Sequence, residues 1–166
     1  MSERIDITAT INLLLKANNI LILCHKNPDG DTLGSAGALY WALHALGKTA
    51  AIFCADAVPS RYDYMKLELF RGQFVPGYIV AVDIAGQQLF GEAAAEYTEK
   101  VDLCIDHHTS NSGYATAMLL DDTAAATGEV IYEMIVAMGV AITPQIANCL
   151  YTGISTDTGC YQYANT

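Results

Sequence analysis

Four short stretches hold most of the side chains able to do chemistry. LILCHKNPDGDTLG, residues 21–34, runs from an apolar segment straight into His25, Asp29 and Asp31. IVAVD ends on Asp83, LCIDHH ends on Asp106, His107 and His108, and TGISTDTG carries Asp157. Carboxylates with a minority of imidazoles suit octahedral Mn²⁺ or Mg²⁺ better than tetrahedral structural zinc, although Co²⁺, Fe²⁺ and Zn²⁺ accept the same ligand types. Taken singly, each stretch has a plain explanation. NPDG is a good turn sequence, an Asp after a strand commonly caps or turns the chain, and a His pair can sit in a solvated loop. The joint pattern is different: at least four carboxylates gathered at one edge repel strongly at low dielectric, and divalent cations remove that cost. With this many ligands two ions fit, and two ions about 3.5–4 Å apart clamp a phosphoryl group while acidifying a bridging water.

Such convergence requires particular elements. Apolar residues at helical spacing predict a helix over 5–16, ending at Asn18 and Asn19. The wholly apolar run 20–24 reads as a strand buried on both faces. A helix over 33–46 follows, with Thr32 or Asp31 as its cap and Gly47 at its end. Further strands are expected at 49–54, 78–82, 101–105 and 115–120, with a helix over 87–99 and an ambiguous segment at 59–77. Thr123 is read as the cap of a helix whose stripe includes Val130, Met134, Ile135 and Met138, and which Gly139 ends. Thr143-Pro144 opens a last helix, Pro being suited to the first helical position. Strands alternating with helices predict an α/β fold: three layers, a mostly parallel sheet with helices on both faces. In open sheets of this kind the loops at the carboxyl ends of the strands share one edge, where ligands bind. The runs at His25, Asp83 and Asp106–His108 should meet there, with Asp157 within reach.

The bulk composition agrees with one compact domain over residues 1–166: the chain has 166 residues and is 52% hydrophobic. Its five cysteines are scattered and never spaced C-x-x-C, which argues against a disulfide framework or a structural zinc site. The formal charge of −10 disfavours a basic-patch nucleic-acid binder unless bound cations reverse the local sign. No apolar stretch approaches the ~20 residues needed to span a bilayer, and no basic-then-apolar leader opens the chain, so the expectation is a cytoplasmic protein with no membrane contact.

HKNPDGDTLGS, AVDIAG, IDHHTSN and STDTG resemble, in order and spacing, the four motifs of the DHH phosphoesterases. The match covers essentially the whole chain. The first and third motifs, with TAAATGEVIYEM, are most similar to the nanoRNase/pAp phosphatase (bifunctional oligoribonuclease) group. The resemblance implies that His25, Asp29 and Asp83 hold one metal ion and that Asp31, Asp83, His107 and Asp157 hold a second, with Asp83 bridging. It implies that His108 faces the substrate phosphate, and that Asp106 orients a histidine as carboxylates do for metal-bound imidazoles. The implied activity is hydrolysis of phosphodiester or phosphomonoester bonds in short single-stranded oligonucleotides or in pAp, with two Mn²⁺ ions as cofactor and Mg²⁺ or Co²⁺ as substitutes. Manganese inorganic pyrophosphatase, cyclic-dinucleotide phosphodiesterase and a metal-binding regulatory module without turnover are the rival readings.

Members of this group continue into a second, carboxyl-terminal lobe with basic residues for substrate, and the expectation is that this lobe is absent from the present chain. Of the eight Lys and Arg residues only Lys26 lies within a motif. Arg61 is a second candidate for the cleft, against the commoner role of a solvated helix position. Tyr151, Tyr161 and Tyr163 could stack a base or pack, packing being the more usual role. Trp41 is assigned to core or interface and His44 to surface. The oligomeric state is left open, a homodimer included.

Overall fold

The computed structural model describes residues 2–70 and 72–165. Six strands form one all-parallel sheet in the order β1-β6-β5-β4-β2-β3: β1 (Glu3–Arg4), β2 (Ile20–Cys24), β3 (Ala50–Cys54), β4 (Tyr78–Val82), β5 (Leu103–Asp106) and β6 (Ala117–Leu120). Every residue of β2 is buried, as a strand covered on both faces requires. After β2 the chain crosses to β3 and then returns to the other side of β2 as β4. Between β2 and β4 the winding direction reverses, which opens a crevice beyond their carboxyl ends.

The two faces are covered differently. The core on one face joins Ile20, Ile22, Val80, Val82, Leu103 and Ile105 to the helices α1 (Ile7–Lys16), α2 (Gly30–Ala45), α3 (Thr127–Ala137) and α4 (Pro144–Asp157). The other face packs Leu21, Leu23, Ile79 and Ala81 against Ile84, Phe90, Ala94 and Val101. These come from a segment of three short 3-10 turns, Gln87–Leu89, Glu92–Ala94 and Thr98–Lys100, where the spacing predicts a single helix over 87–99. Gly91 is the reason: its φ of +79° lies in the left-handed region, which no continuing right-handed helix admits. A Cβ there would also lie 2.9 Å from Ala55 Cβ.

Three helix starts differ from expectation. α1 begins at Ile7, two residues late, because Asp6 caps it by accepting from the Ala9 amide at 2.7 Å. α2 begins at Gly30, three residues early, because Asp29 rather than Asp31 or Thr32 caps it, accepting from the amides of Asp31 and Thr32 at 3.0 and 3.1 Å. α3 begins at Thr127, since the Thr123 amide and hydroxyl bind Asp121 Oδ1 instead of capping a helix. α4 starts as expected, on Thr143, which accepts from the Ile146 amide. α2 and α4 pack backbone to backbone: a Cβ on Gly34 would lie 2.8 Å from the Gly153 nitrogen. That close approach brings the carboxyl end of α4 to the sheet edge. Trp41 packs against the core, half-buried, and His44 is exposed, stacked 4.3 Å from Tyr40. Among the described residues no helix is long and apolar enough to cross a membrane.

Candidate metal centre

The loop after β2 and the start of α2 supply the first residues. His25 follows the strand directly, and its Nδ1 lies 2.7 Å from the Lys26 carbonyl oxygen. A carbonyl only accepts, so Nδ1 is the donor there and Nε2 is the ring atom that faces the carboxylates. Nε2 lies 3.5 Å from Asp29 Oδ1 and 3.9 Å from Asp83 Oδ2. Asp31, in the first turn of α2, is 1% exposed. Its Oδ1 accepts from the Gly128 amide at 2.9 Å and the Ser35 hydroxyl at 3.0 Å, and its Oδ2 from the Thr127 amide at 2.7 Å.

Asp83 stands at the centre. It follows β4 with a φ of +59°, a conformation tolerated by Asp more readily than by bulkier residues, and its amide donates to the Ile105 carbonyl at 3.0 Å. One carboxylate oxygen, Oδ2, faces His25; the other, Oδ1, lies 3.9 Å from His107 Nε2 and accepts from the Thr127 hydroxyl at 2.9 Å. The carboxylate thus looks two ways.

Asp106 ends β5 fully buried, beside His107 and His108. Its Oδ1 accepts from the His107 amide at 2.9 Å and from His108 Nδ1 at 2.8 Å, and its Oδ2 from Asn111 Nδ2 at 2.6 Å. The side chain of Asp106 is therefore fully engaged, and His108 is oriented with Nδ1 inward. His107 holds Nδ1 3.1 Å from the Ala124 carbonyl, which turns Nε2 toward the carboxylates. That atom is buried with no hydrogen-bond partner among the described residues, 3.5 Å from Asp157 Oδ2. Asp157 closes α4, and its Oδ2 accepts from Asn165 Nδ2 at 3.2 Å.

Donor atoms of His25, Asp29 and Asp83 lie within 4.8 Å of one another, as do those of Asp31, His107 and Asp157, and those of Asp83, His107 and His108. The electrostatics show the strain of such crowding. Burial pushes the Asp83 carboxyl up to about 7, and the Asp29 charge adds to the shift. Burial likewise raises Asp31, followed by the charges of Asp83 and Asp157, and it raises Asp157. At Asp29 and Asp106 burial acts in the same sense, but hydrogen bonds outweigh it and hold both low: from His25 in one case, from His108 and Asn111 in the other. The Asp106 hydrogen bond pushes His108 up to about 9.

A cavity of about 290 Å³ opens onto the cluster, lined by His25, Lys26, Asn27, Asp29, Asp83, Leu89 and His108. Lys26 is thus at the site. Arg61 does not line this cavity; it is exposed, with its guanidinium carbon 4.8 Å above the centroid of the Tyr62 ring. Tyr151, Tyr161 and Tyr163 are all more than half exposed, so the expected packing role does not hold for them: α4 turns its outer face to solvent at Tyr151, and the other two lie on the turns after α4 rather than in a strand. Sequence reasoning gave no role to Thr127, Gly128 or Asn111 and read Ser35, with Gly34 and Gly37, only as allowing close approach at the helix start; these four hold Asp31, Asp83 and Asp106. All four lie within quoted motifs, HKNPDGDTLGS, IDHHTSN and TAAATGEVIYEM, but as short neutral types they gave no sign of which carboxylate each one holds.

A parallel sheet whose switch point gathers four buried or half-buried aspartates and the Nε2 atoms of two histidines defines an α/β protein with a cluster able to hold a divalent cation. Residues 19–154 match the DHH family, N-terminal domain, and the chain belongs to that family. It is 36% identical over 151 residues to the bifunctional oligoribonuclease and PAP phosphatase NrnA of Thermus thermophilus, covering 89% of this chain and 45% of that protein. The Bacillus subtilis protein of the same name is 27% identical over 164 residues, covering 96% and 52%. A probable manganese-dependent inorganic pyrophosphatase of Streptococcus mutans is 28% identical over 155 residues, covering 85% and 48%. All three names denote hydrolases. The chain spans about half the length of the curated relatives it matches. In fold it is similar to an exopolyphosphatase-related protein from Bacteroides fragilis, with a TM-score of 0.85 at 24% identity, over 96% of this chain and 52% of that one.

Proposed function

We propose that this chain is the catalytic portion of a two-metal phosphoesterase that hydrolyses short single-stranded oligonucleotides or a nucleoside bisphosphate such as pAp. The observation that carries the reading is Asp83, whose two oxygens face His25 Nε2 and His107 Nε2 at 3.9 Å each. The buried Nε2 of His107, 3.5 Å from Asp157 Oδ2 and without a hydrogen-bond partner among the described residues, supports a cation there. His25, Asp29 and Asp83 would hold one ion, and Asp31, Asp83, His107 and Asp157 the other. The donor set suits Mn²⁺, and the name of the S. mutans relative, a manganese-dependent pyrophosphatase, agrees. Bound cations would supply Lewis-acid charge, acidifying water and offsetting charge on the phosphate oxygens.

The chain's own residues do the rest. Asp106 and Asn111 fix the His108 ring so that Nε2 faces outward, and in this reading it donates a proton or hydrogen bond to a phosphate oxygen. Lys26 on the same cavity adds positive charge for the substrate; the proposal gives Arg61 no part. Named relatives of the oligoribonuclease and PAP phosphatase type favour this substrate class over pyrophosphate.

The test is calorimetric titration with Mn²⁺, paired with side-by-side hydrolysis of pAp, a dinucleotide, pyrophosphate and a cyclic dinucleotide. Two bound ions and preferential cleavage of pAp or the dinucleotide are expected. Preferential cleavage of pyrophosphate would favour the pyrophosphatase reading, and metal binding without hydrolysis of any of the four would favour a regulatory module.

A further inference from the structure

The segment 124–128, which leads from the loop after β6 into the first turn of α3, reads AAATG and has one polar side chain, yet it reaches every member of one proposed ligand group. The Ala124 carbonyl accepts from His107 Nδ1 at 3.1 Å. The Ala125 carbonyl accepts from Asn165 Nδ2 at 2.9 Å, and the same amide group donates to Asp157 Oδ2 at 3.2 Å. The Thr127 and Gly128 amides grip the two oxygens of Asp31, and the Thr127 hydroxyl donates to Asp83 Oδ1. The segment is itself pinned, because Glu129 Oε2 accepts from the Ala125 amide at 2.7 Å. Thr127 is fully buried, and a Cβ on Gly128 would lie 3.2 Å from Asp31 Oδ1.

We propose, resting on the two-metal reading, that Thr127 is a positioning residue of the metal centre: its amide and hydroxyl bracket Asp31 and Asp83 and set the spacing between them. These carboxylates come from α2 and from the loop after β4, and they repel one another. A basic residue in the bracket would relieve the repulsion but would compete with the cation. Neutral donors fix both groups while leaving their charge available. Ser35 also donates to Asp31 Oδ1, so the hydroxyl contact of Thr127 to Asp83 is the link that joins the two carboxylates through one residue.

The test compares Thr127→Val, which keeps the shape and removes the donor, with Thr127→Ser, which keeps the donor. Mn²⁺ affinity is read by calorimetry and metal-free stability by thermal unfolding on the same samples. Thr127→Val should bind Mn²⁺ roughly 10–100-fold more weakly, the range typical for partners that orient metal ligands, while Thr127→Ser stays within about threefold of wild type because its hydrogen bond persists. Unchanged affinity in Thr127→Val, or equal loss in both, would overturn the proposal. Should Thr127→Val not fold, the serine variant decides alone: it loses a buried methyl and so some thermal stability, and affinity that falls in step with stability refutes a positioning role. Wild-type protein that binds no Mn²⁺ would instead overturn the two-metal reading on which the proposal rests.

Discussion

The two edges of the same sheet carry acidic groups and cavities, and they handle them in opposite ways. At the amino edge a cavity of about 490 Å³ is lined by Glu3, Lys16, Tyr78 and Asp102 among others, larger than the cavity of about 290 Å³ at the carboxyl edge. Yet Asp102 stands apart from other carboxylates in that lining except Glu3, and its Oδ2 is satisfied by the Ile79 amide at 2.8 Å. At the carboxyl edge Asp31, Asp83 and Asp106 are buried together, and a buried imidazole nitrogen has no hydrogen-bond partner among the described residues. Cavity size therefore says little here. What distinguishes a site is charge gathered beyond what the protein itself neutralises.

The sharpest way to break that contrast is at Asp83. Asp83→Asn should weaken both Mn²⁺ sites and reduce hydrolysis well beyond the roughly 10–100-fold typical of residues that only orient ligands. The metal-free variant should unfold at the same or a higher temperature, since a crowded buried charge is gone and an amide oxygen still accepts from Thr127. Unaltered metal stoichiometry and turnover would end the two-metal reading. The adjacent histidines should then separate. His107→Ala should lower Mn²⁺ affinity, whereas His108→Ala should leave metal content near normal and lower kcat by about 10²–10³, as removal of one charge-stabilising donor does. Equal metal loss in both would show that their roles have been divided wrongly.

The carboxyl edge also predicts an unusual pH dependence. Asp31, Asp83 and Asp157 have folded-state values above the ordinary carboxylate value, so the folded chain holds protons that the unfolded chain releases. Their stabilising contribution is complete below the unfolded value near 4 and is lost as pH rises through the folded values, about 7 for Asp83. His25 and His108 are also raised, His108 to about 9, and act in the same direction above pH 6.5. Asp29 and Asp106 are lowered and matter only in acid, where their contribution disappears as pH falls. The metal-free protein should therefore lose thermal stability steadily from pH 5.5 to 8.5, and Mn²⁺ should restore more of it at the higher pH, because binding displaces protons. Stability that is flat or rises over that interval in chelator would count against the crowded-charge picture.

Much of the arrangement was legible in the sequence, for a physical reason: strand ends followed at once by His or Asp place chemistry at one edge whenever the sheet is parallel. The cap at Thr143 and the placement of His25, Asp83 and Asp106–His108 at strand ends follow from local pattern, whereas the switch point between β2 and β4 rests on a strand order that local pattern does not give. Other features depend on contacts between distant segments. The helix expected over 87–99 has suitable residues but needs Gly91 in a right-handed conformation, and close packing against Ala55 and Lys26 holds it otherwise. Asp29 caps α2 because the loop folds it back onto two amides, a geometry that Asp31 or Thr32 could equally have supplied from spacing alone. Thr127 was unreadable as a partner of Asp83 because it lies 44 positions away and brings only a hydroxyl. Arg61 shows the opposite limit: a basic residue in an acidic chain attracts notice, but its place over Tyr62 is set by the turn Ser60–Met65 and not by any substrate.

The smallest expected effect is at the amino edge, and it tests the contrast from the quiet side. Asp102 accepts from the Ile79 amide through Oδ2 and donates its own amide to the Ile79 carbonyl at 3.0 Å, a local exchange that ties the start of β5 to β4. Asp102→Asn preserves the acceptor oxygen and the backbone bond while removing the charge. What is lost is the difference between a charge-assisted and a neutral hydrogen bond, about 1 kcal/mol or less of stability. Mn²⁺ affinity and kcat should not change, because the Asp102 carboxylate sits at the opposite end of the strands from the cluster. The measurement is a calorimetric Mn²⁺ titration with a denaturant unfolding curve on the same variant. A several-fold drop in metal affinity would mean that charge at the amino edge is felt at the carboxyl edge through the strands, and the two edges would then have to be treated as one electrostatic unit.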